Sequence, residues 1–440
     1  MRYVDSSMDY SEFFDKADRP LVCVQGLGFV GSAMAVAVAN AKDEYQQPLY
    51  NVAGVDLPTQ EGKRRIESIT NGKFPFDTLD TSMVEAANIA KQQGNLLATS
   101  DEIIYTFADI VIVDVHLDIK NLYENPEIDF DGFKKAITVL GKNLKKSALV
   151  VVETTVPPGT CKEVVQPILQ NCLKERGIEK DSILLAHSYE RVMPGREYYN
   201  SIVNFWRVYS GQTEEAADAC GNFLSSIINV DEYPLTRLHN TTASETAKVL
   251  ENSYRAMNIA FIEEWGRFAE SVEVDLFQVI DAIRVRPTHN NIRQPGFGVG
   301  GYCLTKDPMF AYLAARDIFS KDNLDFPFSR SAVVINNKMP LVSLYKIAQA
   351  LGELAGKDIL LLGVSYRPDV ADTRNAPAEI FVREAEAQGA KVDVHDPIVL
   401  SWPEMSRAVM QDLPAPQKYD AIVFAVGHST YKELNLEDWL

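Results

Sequence analysis

The chain has 440 residues, 46% of them hydrophobic and 24% charged, with a formal net charge of -18. That length exceeds one ordinary core and points to two or three domains. The negative balance excludes nucleic acid and anionic membrane as general partners, because such a surface repels polyanions. No stretch approaches about 18 uninterrupted apolar residues, and the opening MRYVDSSMDYSEFFDKADRP has no basic flank before an apolar run. A cytoplasmic protein with a short polar leader is expected. The five cysteines, Cys23, Cys161, Cys172, Cys220 and Cys303, are scattered without CxxC or Cys/His spacing, which favours reduced thiols and no metal.

The first predicted element is the strand PLVCVQ, residues 20–25. It runs straight into Gly26-Leu27-Gly28-Phe29-Val30-Gly31 and then a small-residue helix, SAMAVAVANA. Strand, GxGxxG and helix in that order suit a pyrophosphate. The first glycine turns the chain, the second admits the phosphates and the third lets helix and strand pack. A second strand, LYNVAGVD, ends in Asp56, 25 residues after Gly31. A carboxylate there binds ribose hydroxyls and repels a 2'-phosphate, so the expected cofactor is NAD.

Apolar runs DIVIVDV, ALVVVE and SILLAH alternate with helical spacing such as TSMVEAANIAKQQG. That pattern predicts a doubly wound parallel α/β sheet with ligands beyond the carboxyl ends of its strands. Polar residues cluster at three such ends: His116 and Asp118; Glu153, Thr154 and Thr155 with VPPGT; and His187 to Arg191. ETTVPPGT also reads simply as a turn before a helix.

From Thr242 to about Ser271 there is no proline and one glycine, and Ala247, Leu250, Tyr254, Met257, Phe261 and Trp265 form one stripe. About 30 residues at roughly 1.5 Å each make a rod near 45 Å, longer than one domain needs. It is expected to link domains and to supply a dimer face. Lys248 and Asn252 lie one turn apart on it. The alternative is a solvated face with Glu245 and Lys248 as an ion pair.

Residues 295–307, PGFGVGGYCLTKD, place four glycines between 296 and 301 just before Cys303. DILLLGV, KVDVHDP and YDAIVFAV then predict a second, shorter Rossmann-like domain without GxGxxG. Arg367 and Arg374 flank a loop leading into a helix, an arrangement suited to a diphosphate; equally, Asp369 and Asp372 could balance them.

Taken together, GLGFVG, ETTVPPGT, YERVMPG, the Lys248/Asn252 helix, GFGVGGYCLTKD and GVSYRPDVADTRNAP resemble the UDP-glucose/GDP-mannose dehydrogenase family over nearly the whole chain from about residue 20. YERVMPG is most similar to the UDP-N-acetylhexosamine branch. The resemblance implies two Rossmann-like domains joined by a central long-helix domain: residues 1–235 for NAD, 236–335 for dimerisation and catalysis, and 336–440 for the UDP-sugar. It implies oxidation of a sugar C6 alcohol to a carboxylate with two NAD, through a thiohemiacetal and thioester on Cys303, with the UDP-sugar as the partner and a homodimer as the assembly.

By the same resemblance Asp307 handles protons and water, Lys248 and Asn252 stabilise charge on the C6 oxygen, and Glu190 serves thioester hydrolysis. Thr155 joins the cofactor site. Arg191, Arg286 (reaching a neighbouring subunit), Gly298, Gly300, Gly301, Arg367 and Arg374 contact the sugar nucleotide. The chain departs from the family at Val115-His116-Leu117-Asp118, where Val-Pro-Thr-Pro is usual, and at Tyr189, where the branch has proline. The family's final strand has no counterpart before Leu440. Two other readings stay open: a β-hydroxyacid dehydrogenase, which has no use for Cys303, and a nucleotide-sugar or NAD sensor without catalysis.

Overall fold

Strand β1 (Leu21–Gln25) is buried at every position, as is β2 (Asn51–Val55), which explains why both read as apolar runs rather than alternating ones. The structure is a computed structural model that describes Tyr10 and residues 19–440 other than 181, 193 and 194. Most of the expected polar leader, and Met193 and Pro194 of YERVMPG, lie outside the described residues. The chain divides into two compact units, one running to Lys248 and taking in Leu313–Lys321, the other comprising Val249–Tyr312 and Asp322–Leu440.

In the first unit, β1, β2, β3 (Leu96–Thr99), β4 (Ile110–Val113), β5 (Leu149–Val152), β6 (Leu184–Tyr189), β7 (Val208–Gly211) and β8 (Thr236–Arg237) form one sheet. Its order is β8-β7-β6-β5-β4-β1-β2-β3. Every step is parallel except β6 to β7. Strand order reverses between β1 and β4, which makes the carboxyl ends of those two strands the place for a ligand. β3, β7 and β8 were not evident in the sequence. VYSG is too short and too polar to announce a strand, and pairing with β6 makes it one.

Helix α1 (Phe29–Ala39) buries Gly31 through Ala39 between sheet and neighbours, so its small residues serve close packing on all sides. Helices α2 (Gln60–Thr70), α3 (Thr81–Gln93), α4 (Asp131–Asn143), α5 (Gln166–Glu175) and α6 (Glu214–Ser225) complete the alternation. The rod is a single helix, α7 (Thr241–Ser271).

In the second unit, α7 buries Ala256, Ala260, Ile262 and Ala269. The stripe Leu250, Tyr254, Met257, Phe261 and Trp265 is exposed, from 36% at Met257 to 64% at Leu250. α8 (Leu276–Arg284), α9 (Cys303–Lys306) and α10 (Pro327–Leu351) follow. Then β9 (Asp358–Leu362), α11 (Pro377–Ala387), β10 (Lys391–His395) and β11 (Ala421–Phe424) build the smaller sheet, all parallel, ordered β10-β9-β11. Asp396 pins the strand-end loops there by accepting the amides of Val364, Ser365, Ile398 and Val399 at 2.9–3.3 Å. No helix among the described residues is long and apolar enough to cross a membrane.

Candidate active site

The glycine turn is built as a dinucleotide needs. Gly26 has φ +96, and a Cβ there would lie 2.5 Å from the Asp114 carbonyl oxygen, so the tight turn excludes a side chain. A Cβ on Gly31 would overlap the Gly26 carbonyl, whereas Gly28 has nothing within 4 Å. Two glycines are thus used up by the protein's own packing and the middle one faces open space, where phosphate can come against backbone. The first turn of α1 holds no acidic residue to oppose an anion. Leu27 is buried beneath this turn, and Phe29 stacks on Phe76 with ring centroids 3.9 Å apart.

Asp56 follows β2 at the edge of this site. One carboxylate oxygen accepts from the Leu57 amide at 2.7 Å and the other pairs with Arg65 at 2.7 Å. Thr155 is half-buried after β5, beside Thr154, whose hydroxyl donates to the carbonyls of Val113 and Val115.

The solvated-face alternative for α7 does not hold. Glu245 is fully buried, Lys248 is 6% exposed and Asn252 2%. Glu245 accepts the amides of Gly159 at 2.6 Å and Cys161 at 2.7 Å, binding ETTVPPGT to the helix instead of pairing with Lys248. Burial pushes its carboxyl up to about 7. One residue earlier, the Ser244 hydroxyl is 2.7 Å from His187 and 2.6 Å from Ser210. Burial, with the Lys248 charge, lowers the His187 imidazole to about 3, so it is neutral.

Lys248 donates to the Glu190 carbonyl at 2.7 Å and lies 3.8 Å from a Glu190 carboxylate oxygen. It also sits 5.2 Å over the Tyr189 ring, so the tyrosine in place of proline braces the lysine. Arg191 lies 5.2 Å from the centre of the same Tyr189 ring and donates to the Trp206 carbonyl. His116 and Asp118 form an exposed pair at 3.2 Å.

In the second unit, Cys303 opens α9 and is exposed, while the other four cysteines are buried with their thiols pushed up by burial. Four residues on, Asp307 is 1% exposed. Asn252 donates to one of its oxygens and Lys306 to the other, each at 2.9 Å. Lys306 therefore serves Asp307 and lies 4.7 Å over Phe310.

The glycines before Cys303 make room for protein. A Cβ on Gly298 would lie 2.5 Å from Pro377, and on Gly300 2.5 Å from Tyr366 and 2.7 Å from the Asn375 carbonyl. Gly301, at φ +75, has the Tyr366 ring 3.1 Å from its Cβ position and donates its amide to the Arg374 carbonyl. Their close approach is to the 366–377 loop, while Gly296 faces open space. Arg374 forms a two-point pair with Asp372, at 2.8 and 2.5 Å, and lies 4.6 Å over Tyr302. Arg367 is exposed on the same loop, and Arg286 is exposed before the turn Pro287–His289. Asp369 accepts from the Ser429 amide at 3.0 Å and from its hydroxyl at 2.6 Å.

Sequence reading missed the Glu245 anchor and a buried pair of Arg207 with Glu153. The one available signal was an acidic residue closing an apolar strand, as in VVVE.

Three domain models of one family match the chain. The NAD binding domain of the UDP-glucose/GDP-mannose dehydrogenase family matches residues 20–227, its central domain 242–338 and its UDP binding domain 360–440. UDP-N-acetyl-D-mannosamine dehydrogenase of Pyrococcus horikoshii is 28% identical over 420 residues, 94% of this chain and 91% of that one. A solved structure of a UDP-D-ManNAc dehydrogenase from Pyrococcus horikoshii superposes with a TM-score of 0.80 at 27% identity, covering 95% of this chain and 92% of that one. An NDP-N-acetyl-D-galactosaminuronic acid dehydrogenase structure from Methanosarcina mazei gives a TM-score of 0.77 at 27% identity, over 98% and 91%. UDP-N-acetyl-D-glucosamine 6-dehydrogenase of Pseudomonas aeruginosa is 27% identical over 425 residues, 95% of this chain and 92% of that one. With a glycine turn open to a dinucleotide and an exposed cysteine ahead of a buried acid, the chain belongs to the UDP-glucose/GDP-mannose dehydrogenase family and is an NAD-dependent nucleotide-sugar dehydrogenase.

Proposed function

We propose that the substrate is a UDP-N-acetylhexosamine, UDP-N-acetylmannosamine or UDP-N-acetylglucosamine, oxidised at C6 to the uronate with two NAD consumed. The relatives bearing those substrates in their names support the sugar class. The observation that carries the chemistry is the buried Asp307, held by Asn252 and Lys306, one turn after an exposed Cys303.

NAD supplies the hydride acceptor, held by Gly26, Leu27, Gly28, Phe29, Val30 and Gly31 with Asp56 and Thr155. Cys303 adds to the C6 aldehyde and retains it, so that the second oxidation leaves a thioester. Lys248 and Asn252 lend positive charge and a donor to the C6 oxygen. Asp307 takes and returns the thiol and hydroxyl protons, and Glu190 orients the hydrolytic water. Arg191, Arg286, Arg367 and Arg374 supply cations for the diphosphate and nucleotide, and the backbone of Gly298, Gly300 and Gly301 shapes the sugar site. The domain division 1–235, 236–335 and 336–440 assigns NAD, catalysis with dimerisation, and nucleotide binding in turn. The exposed stripe of α7 is the face of a homodimer, because apolar area of that kind is covered in a stable assembly. The protein works in the cytoplasm, where thiols stay reduced.

Purified protein is incubated with NAD and, separately, UDP-glucose, UDP-N-acetylglucosamine, UDP-N-acetylmannosamine and GDP-mannose, and NADH is counted per sugar. Two NADH from one UDP-N-acetylhexosamine is expected. Turnover of UDP-glucose or GDP-mannose alone overturns the sugar assignment, and one NADH per sugar overturns the thioester. Mixed Arg286→Ala and Cys303→Ala chains regain activity if Arg286 serves a neighbouring subunit.

A further inference from the structure

The loop between β9 and α11 carries Arg367 and Arg374 and packs on the glycines before Cys303. Arg367 is exposed and is followed by Pro368, which has no amide to donate. The backbone there is held from another part of the chain.

His428, four residues past β11, holds it from a wholly buried position. Its Nδ1 lies 3.0 Å from the Asp369 amide nitrogen, which can only donate, so Nδ1 is an acceptor and carries no proton. The proton of the neutral ring is then on Nε2, 3.2 Å from Asp396 Oδ2 and 3.2 Å from Ser365 Oγ. Ser365 in turn donates its hydroxyl to the Arg367 carbonyl at 3.0 Å. Arg367 is thus clamped on both sides: its carbonyl through Ser365, and the first amide after its proline through the imidazole.

The turn held in this way is a strained one. Asp369 has φ +58, a left-handed conformation that costs a non-glycine residue about 1–3 kcal/mol. Its amide goes to His428, while its carboxylate accepts the amide and hydroxyl of the next residue, Ser429. The imidazole itself is fixed, because Asp396 Oδ2 is tied to the amides of Val364 and Ser365. On another side the Tyr431 ring lies 5.6 Å from it, with the tyrosine hydroxyl 2.7 Å from His395 Nδ1.

We propose that His428 is a positioning residue for nucleotide binding: its unprotonated Nδ1 holds the Asp369 amide and thereby aims Arg367 at the diphosphate of the sugar nucleotide. This rests on the reading of Arg367 as a cation for that diphosphate. Asparagine at position 428 keeps an acceptor oxygen where Nδ1 stands and loses the Nε2 donor. Glutamine keeps a donor where Nε2 stands and loses the acceptor, so the two variants separate the two edges of the ring.

UDP binding is followed by calorimetry, and KM and kcat for the sugar nucleotide are measured on the same preparations. His428→Gln is expected to weaken UDP about tenfold and to raise KM by a similar factor, with kcat changed less than about twofold. His428→Asn stays within about threefold of the wild type on each measure. An equal loss in both variants, or no loss in either, overturns the proposal. Arg367→Ala is expected to weaken UDP about tenfold, and adding His428→Gln to it costs nothing more. A further loss in the double variant shows a merely structural role and overturns the proposal. Unchanged UDP affinity in Arg367→Ala alone overturns the reading of Arg367, whereas a loss there with none in His428→Gln overturns only the role of His428. Nitrogen NMR of histidine-labelled wild type, with the His428 ring assigned through its contact with Tyr431, decides the matter if the variants do not fold. The proton is expected on Nε2, and a proton on Nδ1 overturns the proposal.

Discussion

The Asn252 side-chain amide donates to Asp307 at 2.9 Å, joining the long helix to the residue four positions after Cys303 across 55 residues of chain. With Lys306 on the other oxygen, the buried carboxylate is fully engaged before any substrate arrives. Asp307→Ala leaves a buried ammonium without its counter-charge and is expected to cost about 3–5 kcal/mol of stability. Asp307→Asn keeps the shape and costs less, but turnover is lost in both. Thermal melts and NADH production on the same preparations separate the two effects.

Cys303 is the exposed thiol, and the other four are enclosed with raised pKa. Cys303→Ser is expected to lower acid formation by on the order of a hundredfold or more, because a hydroxyl is a weaker nucleophile at neutral pH. Mass spectrometry of quenched wild-type turnover should find the sugar adduct on this residue and on no other cysteine.

Asp56, proposed to meet the ribose of NAD, pairs with Arg65 at 2.7 Å. Asp56→Asn removes the repulsion toward a 2'-phosphate and releases the guanidinium to bind it. The ratio of NAD to NADP affinity is expected to fall roughly tenfold or more, about 1.4 kcal/mol. Titrating both cofactors against the variant measures it.

Glu245 has its carboxyl raised by burial from 4.5 to about 7. A raised carboxyl binds its proton more tightly folded than unfolded, so the folded state is favoured at low pH and loses that advantage as pH rises from about 4.5 to about 7. The loss is roughly 3 kcal/mol. Glu245→Gln lacks this term, so its stability relative to wild type should improve between pH 4.5 and 7 and level off above. Denaturant melts at pH 5 and pH 8 give the comparison.

Gly301, at φ +75 against the Tyr366 ring, should not accept a side chain. Gly301→Ala is expected to cost about 1–3 kcal/mol through backbone strain and to shift the ring. Gly296→Ala, with open space around it, should be near neutral in the same melts.

Much of the fold was legible locally. PLVCVQ, GLGFVG and the small-residue helix specify strand, turn and helix because each depends on neighbours in sequence, and the proline-free run ending near Ser271 became α7. β7 escaped notice because VYSG becomes a strand only by pairing with β6. Cys303, Lys248, Asn252, Asp307 and Glu190 could be picked out by motif, but motif says nothing about who donates to whom.

By itself the sequence determined the class of molecule: an NAD turn, a long helix carrying lysine and asparagine, and a cysteine after a glycine-rich loop, since these follow from spacing and backbone freedom. Tertiary structure alone decided that Glu245 anchors the ETTVPPGT turn and that the glycines before Cys303 yield to Tyr366 and Pro377. Burial and partner choice are properties of chain segments far apart in sequence. The charge a carboxyl carries depends on what the fold brings beside it.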